Sequence, residues 1–352
     1  MFPHQQFKMI SHYYVLFELD IYSMIEAKIE NWGLKRVERY LPITQGLFKT
    51  INDKKLCQLC VVLSFFIGFI TTFFIVSFEI YLELLGENWL ALDNLLRLVV
   101  INIVFISLEL FLLFEVGFIT TAILINRASA KYQFCDKMKA SLVRAVMELS
   151  EPVDNIHGIK PYKQFSKFRY IKVALYTGKD ILSNFIIKAL LQKSLSRSSV
   201  RVYIPLVSTL ITGFWDAWVQ QKALSEVRLR ISARVYVLNQ LAELEAKEMS
   251  QAYIIALLRL IAVRQSYKQE CDINLEFFYD QLHKKKQCVI TELESVDLLL
   301  ASVDALTVNE KAELTVMTEY LFYFRRSPNR IEKQLLSKLG VLKATKRNPL
   351  LC

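Results

Sequence analysis

Glycine and proline are scarce in this sequence, at 9 and 7 of its 352 residues. Alternating apolar and polar residues, the pattern of half-buried strands, are also rare, whereas long apolar stretches with helical spacing dominate. These shortages exclude a fold built mainly from strands and turns. We therefore predict an all-α fold with long helices. Because 53% of the residues are hydrophobic, the chain has enough apolar material for membrane segments as well as a core.

Residue patterns that would mark a catalytic or metal site are missing too. The six cysteines are scattered, and Cys57 and Cys60 form a single CxxC pair without a nearby histidine. The four histidines are isolated, with no HExxH motif and no spacing typical of a catalytic triad. The sequence YTGKD at 176–180 has Val173 where a phosphate-binding loop needs glycine, and Asp180 where it needs serine or threonine. We predict a protein that is not an enzyme and has no metal site and no cofactor.

Two long apolar runs predict membrane spans. Leu56 to Phe78 contains 23 residues without an ionisable charge, long enough to cross the ~30 Å hydrocarbon layer as a helix. Leu98 to Ile125 is interrupted only by two carboxylates, and 20 of its 28 residues are Leu, Ile, Val or Phe. Each of these favours insertion by roughly 0.3–0.6 kcal/mol, whereas a central charge costs roughly 2.5–3.5 kcal/mol, so insertion remains favourable. We predict a transmembrane helical hairpin over residues 55–126.

Charged residues beside these runs predict the orientation of the hairpin. Six basic residues precede the first run within residues 35–55, and five follow the second run within residues 127–144. Because basic flanks stay in the cytoplasm, we expect both termini there and the short connecting loop outside. The charged residues of that loop region are Glu79, Glu83, Glu87 and Asp93, against Arg97.

Two carboxylates interrupt the second run, and two interpretations of them remain open. Glu109 and Glu115 are six positions apart, so they lie about 120° apart around a helix and form no single polar stripe. An acid inside a membrane helix is a candidate ion or assembly site. Alternatively, one acid packs between the hairpin helices or between subunits with hydroxyl partners, while the other lies near the headgroups. We rank Glu109 above Glu115 as the functional candidate.

A strongly basic stretch follows the hairpin. Pro152, Gly158 and Pro161 mark a boundary, and residues 160–201 carry ten basic residues against Asp180 alone. Beside a membrane, such a stretch attracts anionic lipid at about 1 kcal/mol per cation. No motif for reading DNA or binding single strands is present, so we expect the membrane and anionic lipid headgroups as partners, and no nucleic acid. The candidate lipid contacts are Lys163, Lys167, Arg169 and Lys172.

A third apolar run covers residues 202–215 and has only 14 residues, with basic residues on both sides. It is too short for a span, so we expect it to lie in the membrane interface or inside the cytosolic fold. Trp215 and Trp218 are three positions apart and therefore share a helix face, while Asp216 points elsewhere. Packing inside the domain is the alternative for the tryptophans. The interface or lipid-facing candidates are Trp215, Asp216, Trp218, Arg228 and Arg230.

The stretch from Ile204 to Arg234 resembles the helix-turn-helix ending of EcsC-like bacterial proteins. It resembles more closely an uncharacterised bacterial family of membrane-anchored proteins, marked by a Trp-(Asn/Asp)-Ala-Trp element and then an Ala/Val-Arg-x-Arg element. Those elements are residues 215–218 and 227–230 in this sequence. Leu108 to Phe114 is similar to the second span of that family, which also carries an acid at the place of Glu109. The family has no assigned activity, and the resemblance implies a bacterial inner-membrane location.

The C-terminal part, about residues 250–342, resembles a TerB-like helical module. Such modules carry an acidic Asp-Gly turn and a later glutamate within the segment corresponding to YLFYFRRSPNRIEKQLLSKLG. Glu332 matches that glutamate, whereas Arg326 and Ser327 stand in place of the Asp-Gly pair. Because of this departure, the resemblance predicts a helical module without a metal site.

We divide the chain into six segments, which differ in composition and in the family resemblance they carry. They are a cytosolic helical segment at 1–54, the transmembrane hairpin at 55–126, a juxtamembrane helix and linker at 127–160, the EcsC-like helical domain at 161–248, the TerB-like helical module at 249–342 and a tail at 343–352. We expect a helix to continue from Ala128 to Ser150, and Thr307 and Glu310 are spaced as a capping box. Further helices are expected at 251–264, 272–300, 309–325 and 329–340.

These features predict a non-catalytic integral membrane protein that anchors, scaffolds or regulates partners at the cytoplasmic face of a bacterial inner membrane. We expect a homo-oligomer or a complex with an unidentified protein partner. The alternative is a small oligomeric ion channel or transporter accessory subunit that uses an intramembrane carboxylate.

Overall fold

A computed structural model describes residues 4–47, 50–84, 92–129, 134–149, 203–247, 249–266, 272–286, 295–323, 328 and 330–340, and within them it has ten helices and no strand. The predicted all-α fold is confirmed. The chain forms two compact units, the first with Met1–Leu149 and Ala174–Val227, the second with Ser150–Val173 and Arg228–Cys352. In chain order the helices are α1 (His4–Thr44), α2 (Asp53–Leu84), α3 (Leu92–Ser129), α4 (Asp136–Val146), α5 (Tyr203–Ala246), α6 (Gln251–Ser266), α7 (Ile273–Lys286), α8 (Val296–Asp304), α9 (Val308–Tyr323) and α10 (Arg330–Lys338).

Helices α2 and α3 of the first unit form an antiparallel hairpin. The ring of Phe74 stacks on that of Phe105, with centroids 5.8 Å apart. Further along the pair, the Cys60 sulfur lies 2.6 Å from the Thr120 hydroxyl. Residue numbers therefore rise along α2 as they fall along α3, as a hairpin requires.

Both hairpin helices are long and apolar enough to cross a membrane, over Asp53–Phe78 and Val99–Ser129. The prediction of two apolar helices of this kind is confirmed. The orientation of the hairpin and the identity of the membrane stay predictions.

Helices α1 and α4 pack against α3. Gly33 of α1 makes this close approach possible, because a Cβ atom there would lie 2.5 Å from Val143 of α4 and 3.0 Å from the Phe118 ring. An ion pair between Arg144 of α4 and Glu30 of α1 adds a polar contact. The N-terminal helix is therefore part of the first unit and helps to enclose one end of α3.

The predicted continuous helix from Ala128 to Ser150 is wrong. Helix α3 ends at Ser129, and Cys135 has an extended backbone before α4 begins at Asp136. An extended residue at this position cannot continue a helix, so two helices replace the single one. The break separates the apolar α3 from the amphipathic α4.

Helix α5 is one unbroken helix of 44 residues. The resemblance to a helix-turn-helix implied a turn between Ile204 and Arg234, and the structure has none there. Pro205 lies in the first turn, where its missing N–H breaks no helical hydrogen bond. Gly213 does not interrupt the helix. Because it has no side chain, α5 packs closely on α2 at this position.

The second unit is built around α6. This helix buries 11 of its 16 residues, as expected for a helix that is apolar on all sides and enclosed by others. Helices α7, α8 and α9 each pack against it. Leu257, Leu260 and Ile261 lie at the centre of its core, with Phe278 of α7 and Leu299 of α8. The unit therefore has a closed core of its own.

Two predictions for this unit have different outcomes. The single helix expected over 272–300 is wrong, because Ser295 has an extended backbone and its hydroxyl caps the start of α8 at Leu298. The capping box is confirmed, since the Thr307 N–H donates to Glu310 Oε2 at 3.0 Å and the Glu310 N–H donates to Thr307 Oγ1 at 3.4 Å. That box starts α9.

Candidate functional site

The hairpin helices place small polar side chains inside and large apolar side chains outside. Ser64, Thr71 and Thr121 are buried, although each lies in an apolar helix. The exposed positions carry large apolar side chains, which is the opposite of the surface expected for a protein surrounded by water. The exposed large apolar residues of the two helices are Leu59, Val62, Leu63, Phe66, Ile70, Phe73, Phe74 and Tyr81 on α2, with Val99, Val100, Ile103, Val104, Ile106, Leu108, Leu110, Phe111 and Ile119 on α3.

Glu109 contacts α2 through Thr71. The Thr71 hydroxyl is hydrogen-bonded to Glu109 Oε2, and it also lies 2.9 Å from the carbonyl oxygen of Ile67 and 3.2 Å from that of Gly68. A hydroxyl has one proton to donate, so it cannot satisfy all three acceptors at once. The expected hydroxyl partner for one acid is therefore present.

A second carboxylate, that of Asp216 on α5, lies against the same face of α2 at Gly68. A Cβ atom at Gly68 would overlap Oδ2 of Asp216 on α5, so only glycine admits the acid at this distance. Asp216 is buried. Gly68 and Thr71 are three positions apart and lie one above the other on the helix. Asp216 and Glu109 thus approach neighbouring positions of one α2 face, and we call Gly68, Thr71, Glu109 and Asp216 the carboxylate cluster.

Glu115 has a different environment. Its Oε1 lies 3.3 Å from Arg36 Nε, and its Oε2 accepts a hydrogen bond from the Tyr40 hydroxyl. The Arg36 guanidinium also lies 5.6 Å from the centroid of the Phe111 ring. Trp32 adds an edge contact to Phe118, with ring centroids 5.4 Å apart. Glu115 therefore joins α3 to α1, and its partners come from outside the hairpin.

The interface or lipid-facing candidates on α5 separate into exposed and buried positions. The rings of Trp215 and Trp218 have centroids 5.1 Å apart, as their shared face requires, and Trp218 is exposed. Arg228 is half-buried. Asp216 and Arg230 are buried, so these two candidates do not lie on the exposed surface of α5. The candidates Lys163, Lys167, Arg169 and Lys172 lie outside the described residues.

Glu332, the residue that matches the later glutamate of TerB-like modules, forms a buried ion pair. Its carboxylate lies 3.8 Å from the Arg264 guanidinium, and both side chains are 1% exposed. Arg264 Nε donates to the Leu321 carbonyl oxygen at 2.8 Å, and its guanidinium lies 5.1 Å from the Phe322 ring centroid. This pair ties α6, α9 and α10 together. Glu332 is thus part of a structural ion pair.

Several residues of these sites were missed from the sequence. Thr71 and Gly68 lie within the first apolar run, where nothing in the sequence marks them as part of a site. Arg36 and Tyr40 lie one helical turn apart on α1, a spacing that could have suggested a shared partner. That partner, Glu115, is 75 positions beyond Tyr40, so only the fold brings them together.

Comparison of the chain with protein-family models, with curated proteins and with solved structures finds no match. The resemblance to the EcsC-like and TerB-like families therefore rests on the sequence elements alone.

Proposed function

We propose that the chain is a non-catalytic integral protein of the bacterial inner membrane that anchors, scaffolds or regulates partners at the cytoplasmic face. The observation that carries this proposal is the arrangement of α2 and α3, with polar groups inside and large apolar groups outside. In hydrocarbon such a surface is favourable, whereas in water an apolar belt of this size would drive aggregation. Both chain termini are placed in the cytoplasm by the basic flanks of the hairpin.

The second unit supplies the part that is presented to partners. Its core is closed, and its large apolar side chains that remain exposed are few among the described residues, namely Val308, Val316 and Ile331. A unit of this kind needs no bilayer around it and suits an aqueous compartment. An apolar hairpin joined to such a unit has the design of a membrane anchor with a cytosolic module.

The test is the mass and composition of the complex formed by the full-length protein, extracted with mild detergent from native membranes. The proposal expects a second protein in fixed stoichiometry, retained through size-exclusion chromatography. A matched sample of the Val316→Glu variant, altered on the exposed surface of α9, shows whether the second unit carries that partner. A homo-oligomer with no companion protein would contradict the scaffold proposal.

A small oligomeric ion channel or transporter accessory subunit is the second candidate, and the carboxylate cluster favours it. Glu109 contacts the Thr71 hydroxyl and Asp216 lies against Gly68, so two acids approach positions one helical turn apart within the apolar run of α2. Such oxygen-rich surroundings suit a proton or a small cation.

Ion flux into vesicles that contain the purified full-length protein tests this candidate. Glu109→Gln should abolish flux, while Ser107→Ala, an exposed position on the same helix, should leave it unchanged. Flux equal to that of protein-free vesicles, or flux that survives Glu109→Gln, excludes the candidate and leaves the scaffold proposal intact.

A further inference from the structure

One face of the first half of α5 is apolar and exposed. Its residues follow the 3, 4 spacing of a helix and so form a continuous line, which we call the α5 stripe. Exposure is highest at Phe214, where 67% of the residue surface is accessible. The stripe consists of Val207, Leu210, Ile211, Phe214 and Trp218.

The same segment of α5 is packed against α2. A Cβ atom at Gly213 would lie 2.8 Å from the carbonyl oxygen of Phe65, so the two backbones come very close. Small residues of this kind allow such close approach between membrane helices. Asp216 then points to Gly68 on the next turn. The helix is therefore held on the hairpin by one face and exposes the other.

The α5 stripe continues the apolar surface of α2. The Phe214 ring makes an edge contact with the Phe65 ring, with centroids 5.0 Å apart. Phe65 in turn contacts Phe66, which belongs to the exposed apolar residues of α2. Whatever medium surrounds that part of α2 therefore also reaches Phe214.

At its C-terminal end, the α5 stripe has the order of residue types found at a membrane boundary, in which apolar residues are followed by tryptophan and then by lysine. After the aliphatic residues and Phe214 comes Trp218, and Lys222 lies beyond it with Nζ 5.5 Å from the centroid of the Trp218 ring. Tryptophan concentrates at the level of the lipid headgroups, and a lysine one turn further places its ammonium near the phosphates. The exposed position after these is Ser225, which is polar.

We propose that the first half of α5 is a third membrane-embedded helix, with Val207 to Phe214 facing acyl chains and with Trp218 and Lys222 nearer to the headgroups than Phe214 is. This inference rests on the proposed membrane location of the hairpin. From Tyr203 to Trp218 the helix is roughly 24 Å long, shorter than the ~30 Å hydrocarbon layer, so it embeds without a full crossing. An embedded helix of this kind is compatible with the basic residues on both sides of the apolar run 202–215, which argued against a full span there.

The consequence concerns Asp216. Because it lies on the packed face, between Trp215 and Trp218 in the sequence, it is held against Gly68, near the middle of the apolar run of α2. Three carboxylates, those of Glu109, Glu115 and Asp216, would then belong to the membrane part of the first unit. The sequence suggested only two.

Depth-resolved fluorescence quenching tests the proposal in the full-length protein. The chain has four tryptophans, so Trp32→Phe, Trp89→Phe and Trp215→Phe leave Trp218 as the only probe. Adding Trp218→Phe and Phe214→Trp moves the probe to the middle of the stripe. Each variant is placed in lipid nanodiscs whose acyl chains carry bromine near the headgroup or deep in the chain, and aqueous iodide is titrated in parallel.

We expect the probe at 214 to be quenched several-fold more by deep than by shallow bromines, and Trp218 to show a smaller ratio of deep to shallow quenching. Phe73→Trp, on the α2 belt, is the reference for hydrocarbon, and Val316→Trp, exposed on α9, is the reference for water. Circular dichroism establishes that each variant is folded. If Phe214→Trp does not fold, Ile211→Trp on the same face repeats the measurement.

Strong iodide quenching of the probe at 214 would overturn the proposal. Protection from both quenchers would also overturn it, because a second copy of the chain or another protein would then cover the stripe. If the probe at Phe73 is quenched by deep bromines in either case, the membrane location of the hairpin stands and only the embedding of α5 fails. If the probe at Phe73 is quenched by iodide instead, the membrane location fails as well.

Discussion

The two units place their polar and apolar side chains in opposite ways. In the hairpin, Thr71 and Thr121 are buried while Phe74 and Val104 are 52% and 57% exposed. In the second unit, the apolar side chains of α6 are enclosed by three helices, as in a soluble domain. The two surfaces thus indicate two different solvents, and we attribute the first to lipid and the second to water.

The units also differ in how they compensate buried acids. Glu332 faces a guanidinium, so its charge is balanced inside a closed core. Glu109 faces the Thr71 hydroxyl, a partner that suits a neutral acid as well as a charged one. Glu115 resembles Glu332, because Arg36 lies beside it. Among these three acids, therefore, Glu115 and Glu332 each lie beside a guanidinium, and Glu109 contacts a hydroxyl.

The largest effect is expected from Arg264→Met in the second unit. It leaves Glu332 buried without its cation, which costs about 3–5 kcal/mol in the free energy of unfolding. Pulse proteolysis of the full-length protein in urea measures this, since cleavage in the second unit reports its own unfolding. The double variant Arg264→Met with Glu332→Leu is the control and should recover most of the loss. A single variant as stable as the native protein would show that the pair is not a charged one.

A smaller effect is expected from Gly68→Ala in the hairpin. The new methyl group overlaps the Asp216 carboxylate, and overpacking of this kind costs about 1–3 kcal/mol. Thermal unfolding in mild detergent measures the loss. In an Asp216→Ala background the same substitution should cost much less, because the side chain that it meets has been removed. Equal costs in both backgrounds would mean that α5 does not pack on Gly68.

Glu115→Gln and Glu109→Gln test the difference between the two acids of α3 directly. Glu115→Gln removes the negative charge beside Arg36 and should cost about 1–2 kcal/mol, because a partly buried cation loses its partner. Glu109→Gln keeps a hydrogen-bonding group beside Thr71 and should cost about 0.5 kcal/mol or less. Both are measured by thermal unfolding in the same detergent. A larger loss at Glu109 than at Glu115 would contradict the proposed assignment of their partners.

The sequence predicted those features that depend on neighbouring residues. An uncharged run of 23 residues predicts an apolar helix, and the spacing of Thr307 and Glu310 predicts a cap. The boundaries at Cys135 and Ser295 were missed, because neither has a glycine or proline beside it to interrupt the helical pattern. At Ser295 the local signal was the residue type itself, since serine is a preferred helix N-cap and its hydroxyl accepts a hydrogen bond from the Leu298 N–H.

The residues of the candidate site were also predicted only in part, because the sequence shows single unusual residues but not which residues pack against them. Glu109 and Glu115 stand out in an apolar run, so both were found. Their partners could not be assigned, since Arg36 belongs to a helix far earlier in the chain, and Gly68 gains its meaning only when Asp216 packs on it. The burial of Arg230 was likewise missed, because an arginine in the sequence gives no sign of the face it will occupy.

A small effect is also expected at the capping box of the second unit, where all groups are near water. Thr307→Ala removes the hydroxyl that accepts from the Glu310 N–H, which costs about 1 kcal/mol in the free energy of unfolding. The measurement is again pulse proteolysis of the full-length protein. Thr315→Ala, whose hydroxyl bonds only to the preceding turn of α9, is the matched control and should change stability less.

The capping box contains a hydrogen bond accepted by the Glu310 carboxylate and another accepted by the Thr307 hydroxyl. The pH dependence of stability distinguishes the two. Hydrogen bonds from Ser250 and from Thr307 hold the pKa of Glu310 below its ordinary value of 4.5. A carboxyl whose pKa is lower in the folded state stabilises the fold above the ordinary pKa, and that contribution disappears as the pH falls through the folded value. The stability difference between the native protein and Glu310→Gln should therefore be constant near neutral pH and shrink below about pH 4.5. The stability difference between the native protein and Thr307→Ala should persist in part at low pH, because the Thr307 hydroxyl still accepts a hydrogen bond from the backbone. If this difference vanished completely at low pH, the stabilising effect of the cap would come from the Glu310 carboxylate alone.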